Sequence, residues 1–387
     1  MGSAAMALRG AAVRPGRLSV GWEAPALLTL TVLLLSFGLV SLYSASAVKA
    51  QMAGLPDYHF FVQQAVGAAL GLLALALVAR LDYRHLRLLA WPLLAVVTAM
   101  LVMLLVPGLE GIAPDDNGAR RWLVLGPVSL QPSELAKAVL IVWTAAIAVK
   151  KQDRLHSLSR GLGPFLIVWA VVAGLIFLEP SLSAAMLTIL FSVLVVYAAG
   201  ARIGHFLLLG LVGLPLFLNA VGGAAYRVRR MAAFFDPAQD PAGVSYQINQ
   251  ALIALGSGGI LGRGIGRGQQ KFGFLPEPHN DFLFATIGEE WGFLGVLLVV
   301  TLYVLFALVG YRVARGAPDL FGTLLAIGMT NLIVVQALLH MLVNTALIPT
   351  TGVTLPLMSY GRTSILVSLL GVGVLLSVAR RAAQAAL

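Results

Sequence analysis

The chain has 387 residues, 59% of them hydrophobic and 11% charged, with a mean hydropathy of +0.92 and a net charge of +10. That much apolar side chain exceeds what one water-soluble core can hide and places the chain among polytopic membrane proteins. Zero cysteines exclude disulfides and thiolate chemistry, and the basic excess reads as a collar against anionic headgroups, so no nucleic-acid partner is expected.

From the N-terminus, residues 1–20, with Pro15 and scattered arginines, read as a disordered cytoplasmic tail, and residues 21–387 as one membrane domain. A helix needs about 20 apolar residues to cross the hydrocarbon layer. Ten such runs lie near 24–47, 60–80, 86–107, 131–149, 163–178, 182–200, 203–221, 284–311, 320–345 and 358–379. They are continuous rather than alternating, which excludes a β-barrel and leaves helices, whose backbone satisfies itself in lipid. The first run is too long for a signal-peptide core and reads as retained. The expected fold is all-α, a polytopic membrane protein with about ten transmembrane helices. No repeat at a 20–50-residue period and no matching halves are visible, which argues against a solenoid and an inverted-repeat transporter.

Most of the 26 basic residues fall in the tail and in the loops that share its side, while the short loops opposite hold only Lys49, Arg120, Arg121 and Arg362. The positive-inside rule then puts both termini in the cytoplasm. The long polar stretch from Tyr226 to Gly288, in a loop over about 222–283 between the seventh and eighth helices, faces outward. Loops of that length usually perform chemistry or recognition.

Within this loop, Asp236-Pro237 and Asp240-Pro241 mark turns, and Tyr246 to Leu255 has the rhythm of a short amphipathic helix lying at the interface. The segment Gly256 to Gly268 is too glycine-rich for regular structure. It has GxGxxG-like spacings without a preceding strand, so a nucleotide fold is not indicated. Its glycines either let backbone approach a ligand closely or form a flexible turn.

Asp281, in FLPEPHNDFLF, sits where this loop meets the next apolar run, flanked by Pro276 and Pro278. Two readings stand: a partly desolvated catalytic carboxylate, or a helix N-cap made by Asn280 or Asp281. Glu134 and Lys137 lie three residues apart on a helix begun by Pro132. Ionisable groups inside a span are costly unless paired or facing a cavity, so they mark either a functional site or a structural ion pair. Arg120 and Arg121, followed by Trp122, suit bidentate grip of a diphosphate, and equally a plain interfacial belt. Glu289 and Glu290 follow Asp281 at spacings that let either share its face. The six histidines are scattered, so a zinc site is not indicated. Proline, glycine and hydroxyl residues in IPTTGVTLPLMSYGRTS, 348–364, interrupt the chain before the last run, as irregular backbone does where it lines a cavity.

Five stretches together resemble the SEDS family (shape, elongation, division and sporulation) of membrane glycosyltransferases, the FtsW/RodA type: LYSAS at 42–46, RRWLVLGPVSLQPSELAK at 120–137, YRVRRM to SGG at 226–259, QKFGFLPEPHNDFLFATIGEEWGFLG at 270–295, and PTTGVTLPLMSYG at 349–361. They run in family order over nearly the whole chain. The resemblance implies ten transmembrane helices, a large outer loop, residence in the bacterial cytoplasmic membrane, and polymerisation of lipid II into glycan strands. It also implies that Asp281 is the essential acidic residue and that a class B penicillin-binding protein transpeptidase and other division or elongation membrane proteins are partners. The TLPLMSYG and YRVRRM forms resemble the division branch, FtsW, and its sporulation relatives more than the elongation branch, RodA. Departures from the family pattern are Arg362 for the second glycine after SYG, Glu179-Pro180-Ser181-Leu182-Ser183 for Gln-Pro-Asp-Leu-Gly, Asn280 for Thr and His340 for Asn.

The implied reaction joins two lipid-linked disaccharides, with polyprenyl diphosphate leaving. Diphosphate leaves without a proton, so one carboxylate base suffices, unlike the two carboxyls of a glycosidase. Asp281 would take the acceptor hydroxyl proton. Arg120, Arg121, Lys137, and Arg229 or Lys271 would balance the diphosphate beside Glu134, with a divalent cation, Mg or Mn, as a helper. The rival readings are a flippase for the same lipid, using Glu134 and Lys137, and a noncatalytic scaffold for a transpeptidase.

Overall fold

The structure, a computed structural model, describes residues 21–115, 119–126, 128–235 and 243–386. The tail and the two Asp-Pro turns expected from the sequence lie outside these residues. Among the described residues, ten apolar helices appear where ten runs were expected: α1 (Glu23–Met52), α2 (His59–Arg80), α3 (His85–Leu105), α4 (Pro132–Lys150), α5 (Gly163–Leu178), α6 (Leu182–Ala198), α7 (Ile203–Gly222), α10 (Leu283–Gly316), α11 (Leu320–Asn344) and α12 (Arg362–Ala386). Eight are long and apolar enough to cross a membrane, while α5 and α6, of 16 and 17 residues, are shorter. A two-stranded hairpin, β1 (Leu123–Leu125) with β2 (Val128–Leu130), precedes α4.

Helices α4, α11 and α12 are the most enclosed, and α2 runs along α12. Local chemistry fixes their ends. Pro132 opens α4, where a missing N–H costs nothing. Asp319 caps α11 by accepting from Gly322 N–H at 2.8 Å, and also accepts from Tyr83 Oη at 2.7 Å and Arg84 Nε at 3.0 Å. Helix α7 has no buried residue and stands at the periphery.

The long loop between α7 and α10 is itself helical over much of its length. It holds α8 (Ala225–Phe235) and α9 (Val244–Ser257), the second being the amphipathic helix expected at 246–255. The glycine segment after α9 does approach closely, but its neighbour is this chain's own α10. Arg263 and Gly264 N–H donate to the carbonyls of Glu289 and Glu290, and Phe293 and Leu294 N–H donate to those of Gly259 and Ile260. Helix α10 breaks to receive it: Gly292 has φ +66, and a Cβ there would lie 2.3 Å from the Gly262 nitrogen. Only glycine fits that left-handed, crowded position.

Candidate functional site

Asp281 sits on a tight turn directly before α10. Glu277, at φ +50, offers its carbonyl to the N–H groups of Asn280 and Asp281, each at 3.1 Å. The Glu277 carboxylate is ion-paired with Lys49 at the end of α1. His279 is buried against the rings of Phe60 and Tyr360, and its carbonyl accepts from Tyr360 N–H at 3.0 Å. Phe282 occupies the cap position of α10 with no side-chain cap bond, so the N-cap reading of Asn280 or Asp281 is set aside. Asn344 holds the turn from α11: its Nδ2 donates to the Asp281 carbonyl at 3.0 Å and its Oδ1 accepts from Ala285 N–H at 3.0 Å.

The segment 345–361, between α11 and α12, forms the facing wall. Its irregular backbone is satisfied by four side chains from three helices: Gln64 on α2, Tyr303 on α10, and Gln336 and His340 on α11 bond the carbonyls of Ser359, Pro356, Thr354 and Val353, while Gln64 also accepts from Gly361 N–H. This is how non-helical backbone survives at such depth. Gly352, at φ +66, comes so near that a Cβ on it would lie 3.6 Å from Asp281 Oδ2. Enclosure by protein raises the Asp281 pKa to about 6, with the Glu277 charge adding to it and Arg230 and Lys49 opposing. Part of its surface stays open. A carboxylate in that state is ionised at neutral pH yet basic enough to take a proton.

Of the basic residues singled out, few reach this cleft. On α8 it is Arg230, not the exposed Arg229, whose charge acts on Asp281 and whose Nη1 lies 3.5 Å from the Thr350 carbonyl. Lys271 is buried in a different place: Nζ pairs with Glu290 at 2.7 Å and with Ser44 Oγ at 2.9 Å. Glu290 and Glu289 do not join Asp281 either. Glu289 accepts from Gln269 N–H at 2.7 Å and holds the glycine segment. Arg120 pairs with Glu110 at 2.8 Å, and Arg121 donates to the carbonyls of Glu179 and Pro180 at 3.1 and 2.9 Å. Buried Lys137 pairs with partly buried Glu134 at 2.7 Å, and its Nζ also donates to Gln336 at 2.8 Å. The departures find places too: Arg362 donates to Ser129 at 2.7 Å, and Glu179, buried without a hydrogen bond to its carboxyl, is pushed up to about 8 by burial. Glu179 therefore supplies no negative charge in place of the absent aspartate at Ser181 near neutral pH.

The sequence does not set Arg230 apart from the other basic residues of the long loop, and it gives little sign of Gln336 and Asn344. The two amides lie in an apolar run eight residues apart, a spacing that shares one helix face, and that was their only signal.

Residues 25–384 match the model of the FtsW/RodA/SpoVE family, described as cell cycle protein. The chain belongs to this family. Among relatives, a protein of Trichlorobacter lovleyi described as probable peptidoglycan glycosyltransferase FtsW is 40% identical, with 91% of this chain and 92% of that one covered. Stage V sporulation protein E of Bacillus subtilis is 39% identical over 92% of this chain and 96% of that one. The fold is similar to a chain of a peptidoglycan synthase complex described for its coordination of polymerization and crosslinking, with a TM-score of 0.76 at 30% identity, covering 95% and 99% of the two chains. It is also similar to the crystal structure of the rod shape determining protein RodA of Thermus thermophilus, with a TM-score of 0.65 at 30% identity, covering 94% and 97%. The ten apolar helices and the long loop before Asp281 thus belong to the FtsW/RodA/SpoVE architecture.

Proposed function

We propose that this chain is a peptidoglycan glycosyltransferase that polymerises lipid II into glycan strands for the septal wall, with Asp281 as its general base. The observation that carries this reading is the Asp281 turn itself: a single partly open carboxylate, basic enough to accept a proton, walled by backbone and flanked by Arg230 and Lys49. The acceptor sugar hydroxyl approaches the carboxylate, its oxygen bonds to the donor's anomeric carbon from the side opposite the leaving group, and the C–O bond to diphosphate breaks with inversion. The hydroxyl proton passes to Asp281, and the electron pair leaves with the polyprenyl diphosphate. Proton transfer of this kind is worth about 10²–10⁴ in rate. Arg120, Arg121, Arg229 and Arg230 retain surface to meet diphosphate charge, whereas Lys137 and Lys271 are enclosed by their own partners.

A divalent cation enters this reading as a companion of the diphosphate, which it would help neutralise. Among the described residues no group of three His, Asp or Glu side chains converges on a metal-sized point. The residues present therefore do not form a cage of their own, and no step is routed through a metal.

The relatives' names, FtsW and stage V sporulation protein E, favour the division branch and its sporulation relatives over a RodA-type role in elongation. The synthase complex among the similar structures supports a crosslinking partner, which we take to be a class B penicillin-binding protein. The distribution of Lys and Arg supports cytoplasmic termini and an outward loop. The Glu134–Lys137 pair inside α4 is a feature that favours the flippase reading. Purified protein given lipid II with its transpeptidase separates the two: glycan ladders on a gel support the polymerase, while lipid II scrambling in vesicles without ladders supports the flippase.

A further inference from the structure

Helix α11 carries three polar side chains at four-residue spacing, Gln336, His340 and Asn344, all buried. That spacing places them in one row along the helix, each about 6 Å beyond the last. Gln336 Nε2 donates to the Thr354 carbonyl at 3.2 Å, and its Oε1 accepts from Lys137 Nζ at 2.8 Å. His340 Nδ1 lies 2.7 Å from the Val353 carbonyl, a contact that needs the proton on that nitrogen. Asn344 bonds the carbonyls of Asp281 and His340 and the N–H of Ala285. Val353 and Thr354 directly follow Gly352, the backbone that faces the Asp281 carboxylate. One helix face therefore grips both sides of the cleft, the base turn with Asn344 and the opposite wall with His340 and Gln336.

We infer that Gln336, His340 and Asn344 are positioning residues of the transfer reaction, which set the separation between the Asp281 carboxylate and the 352–354 backbone and so the slot in which the acceptor hydroxyl meets its base. The Glu134–Lys137 pair is the anchor of this row: Lys137 fixes Gln336, which fixes the wall. Polar side chains deep in a membrane bundle are costly, and apolar ones would pack α11 as well. What the row adds is direction, because each hydrogen bond points a particular loop carbonyl at a particular place. This inference rests on the glycosyl-transfer reading of Asp281.

The test is the pH profile of lipid II polymerisation by full-length protein with its transpeptidase, measured for His340→Ala, His340→Asn and Gln336→Met. The charged groups acting on Asp281 are Glu277 of its own turn, Lys49 from α1 and Arg230 from α8, and all three stay in place in these variants. Displacing reacting groups by about 1 Å can cost about 10²-fold, so His340→Ala is expected to lower kcat by about 10- to 100-fold while KM changes little. Its acid limb should move to lower pH as water reaches the loosened carboxylate. His340→Asn, whose amide can still donate to Val353, should recover most of kcat. Gln336→Met should behave like His340→Ala and serves in its place if that variant folds poorly. Leu338→Ala, on the exposed side of the same helix, should leave the limb where it is. Wild-type kcat in both His340→Ala and Gln336→Met, loss of kcat with an unmoved acid limb, or His340→Asn no better than His340→Ala would each overturn the positioning role. Asp281→Asn, run alongside, keeps the two ideas apart: wild-type polymerisation by that variant sinks the parent reading whatever the row does.

Discussion

Lys271 offers the sharpest contrast between what its neighbours in sequence suggest and where it lies. In a basic loop it reads as a diphosphate ligand, yet its side chain is 4% exposed and paired with Glu290, itself 1% exposed, with the Ser44 hydroxyl bonded to the same carboxylate oxygen. Lys271→Met removes the cation and leaves Glu290 buried with one neutral donor. Breaking one side of a buried pair costs about 3–5 kcal/mol, whereas replacing both partners by apolar groups is near neutral or better. A double-mutant cycle of Lys271→Met and Glu290→Leu, followed by equilibrium unfolding in mixed micelles, should thus show each single variant losing about 3 kcal/mol or more and the double variant regaining most of that loss. A Lys271→Met protein as stable as wild type but weakened in substrate affinity would refute the structural assignment and return Lys271 to the ligand set.

Arg230→Ala should lower polymerisation far more than Arg229→Ala. It should also shift the acid limb upward, because removing a cation that lowers the Asp281 pKa lets it rise further; equal effects of the two would dismiss the Arg230 contact. Glu179 is held protonated by burial, with a pKa near 8 against 4.5 for the free group. Between those values the folded state binds more protons than the unfolded one, so stability contributed at this site falls as pH rises through the window. Glu179→Gln should therefore gain on wild type in thermal unfolding from pH 5 to about 8, and a constant difference across that range speaks against a buried neutral carboxyl. Gly292→Ala places a Cβ 2.3 Å from backbone at φ +66 and should lose about 2–4 kcal/mol from left-handed strain and overpacking together, read as loss of folded yield; normal yield would mean that α10 does not need its break.

Lipid made the helices legible. A span must satisfy its own backbone and present an apolar surface, so each of the ten runs announced itself without reference to the others. The amphipathic α9 was readable for a similar local reason. The break in α10 was not, because Gly292 lies inside a continuous apolar run and the segment that fills the break comes from more than twenty residues earlier. Lys271 misled because its partners are Glu290 and Ser44, the latter 227 positions away. The sequence does not separate Arg229 from Arg230: adjacent residues on a helix point about 100° apart, and only the seating of α8 says which one faces the cleft. Asp281 itself stands out from its setting just after two prolines at a membrane boundary, although its role as base rather than cap needed the turn held by Glu277 and Asn344.

The measurement that bears most directly on the whole account is polymerisation of lipid II by Asp281→Asn, at matched folded yield and with the transpeptidase present, across pH 5 to 8. Asp281→Asn should lose about 10²-fold or more with no acid limb remaining, against a wild type whose rate falls as pH drops through about 6. Glycan ladders of wild-type intensity from Asp281→Asn, with the acid limb intact, would contradict this and move the base elsewhere in the cleft.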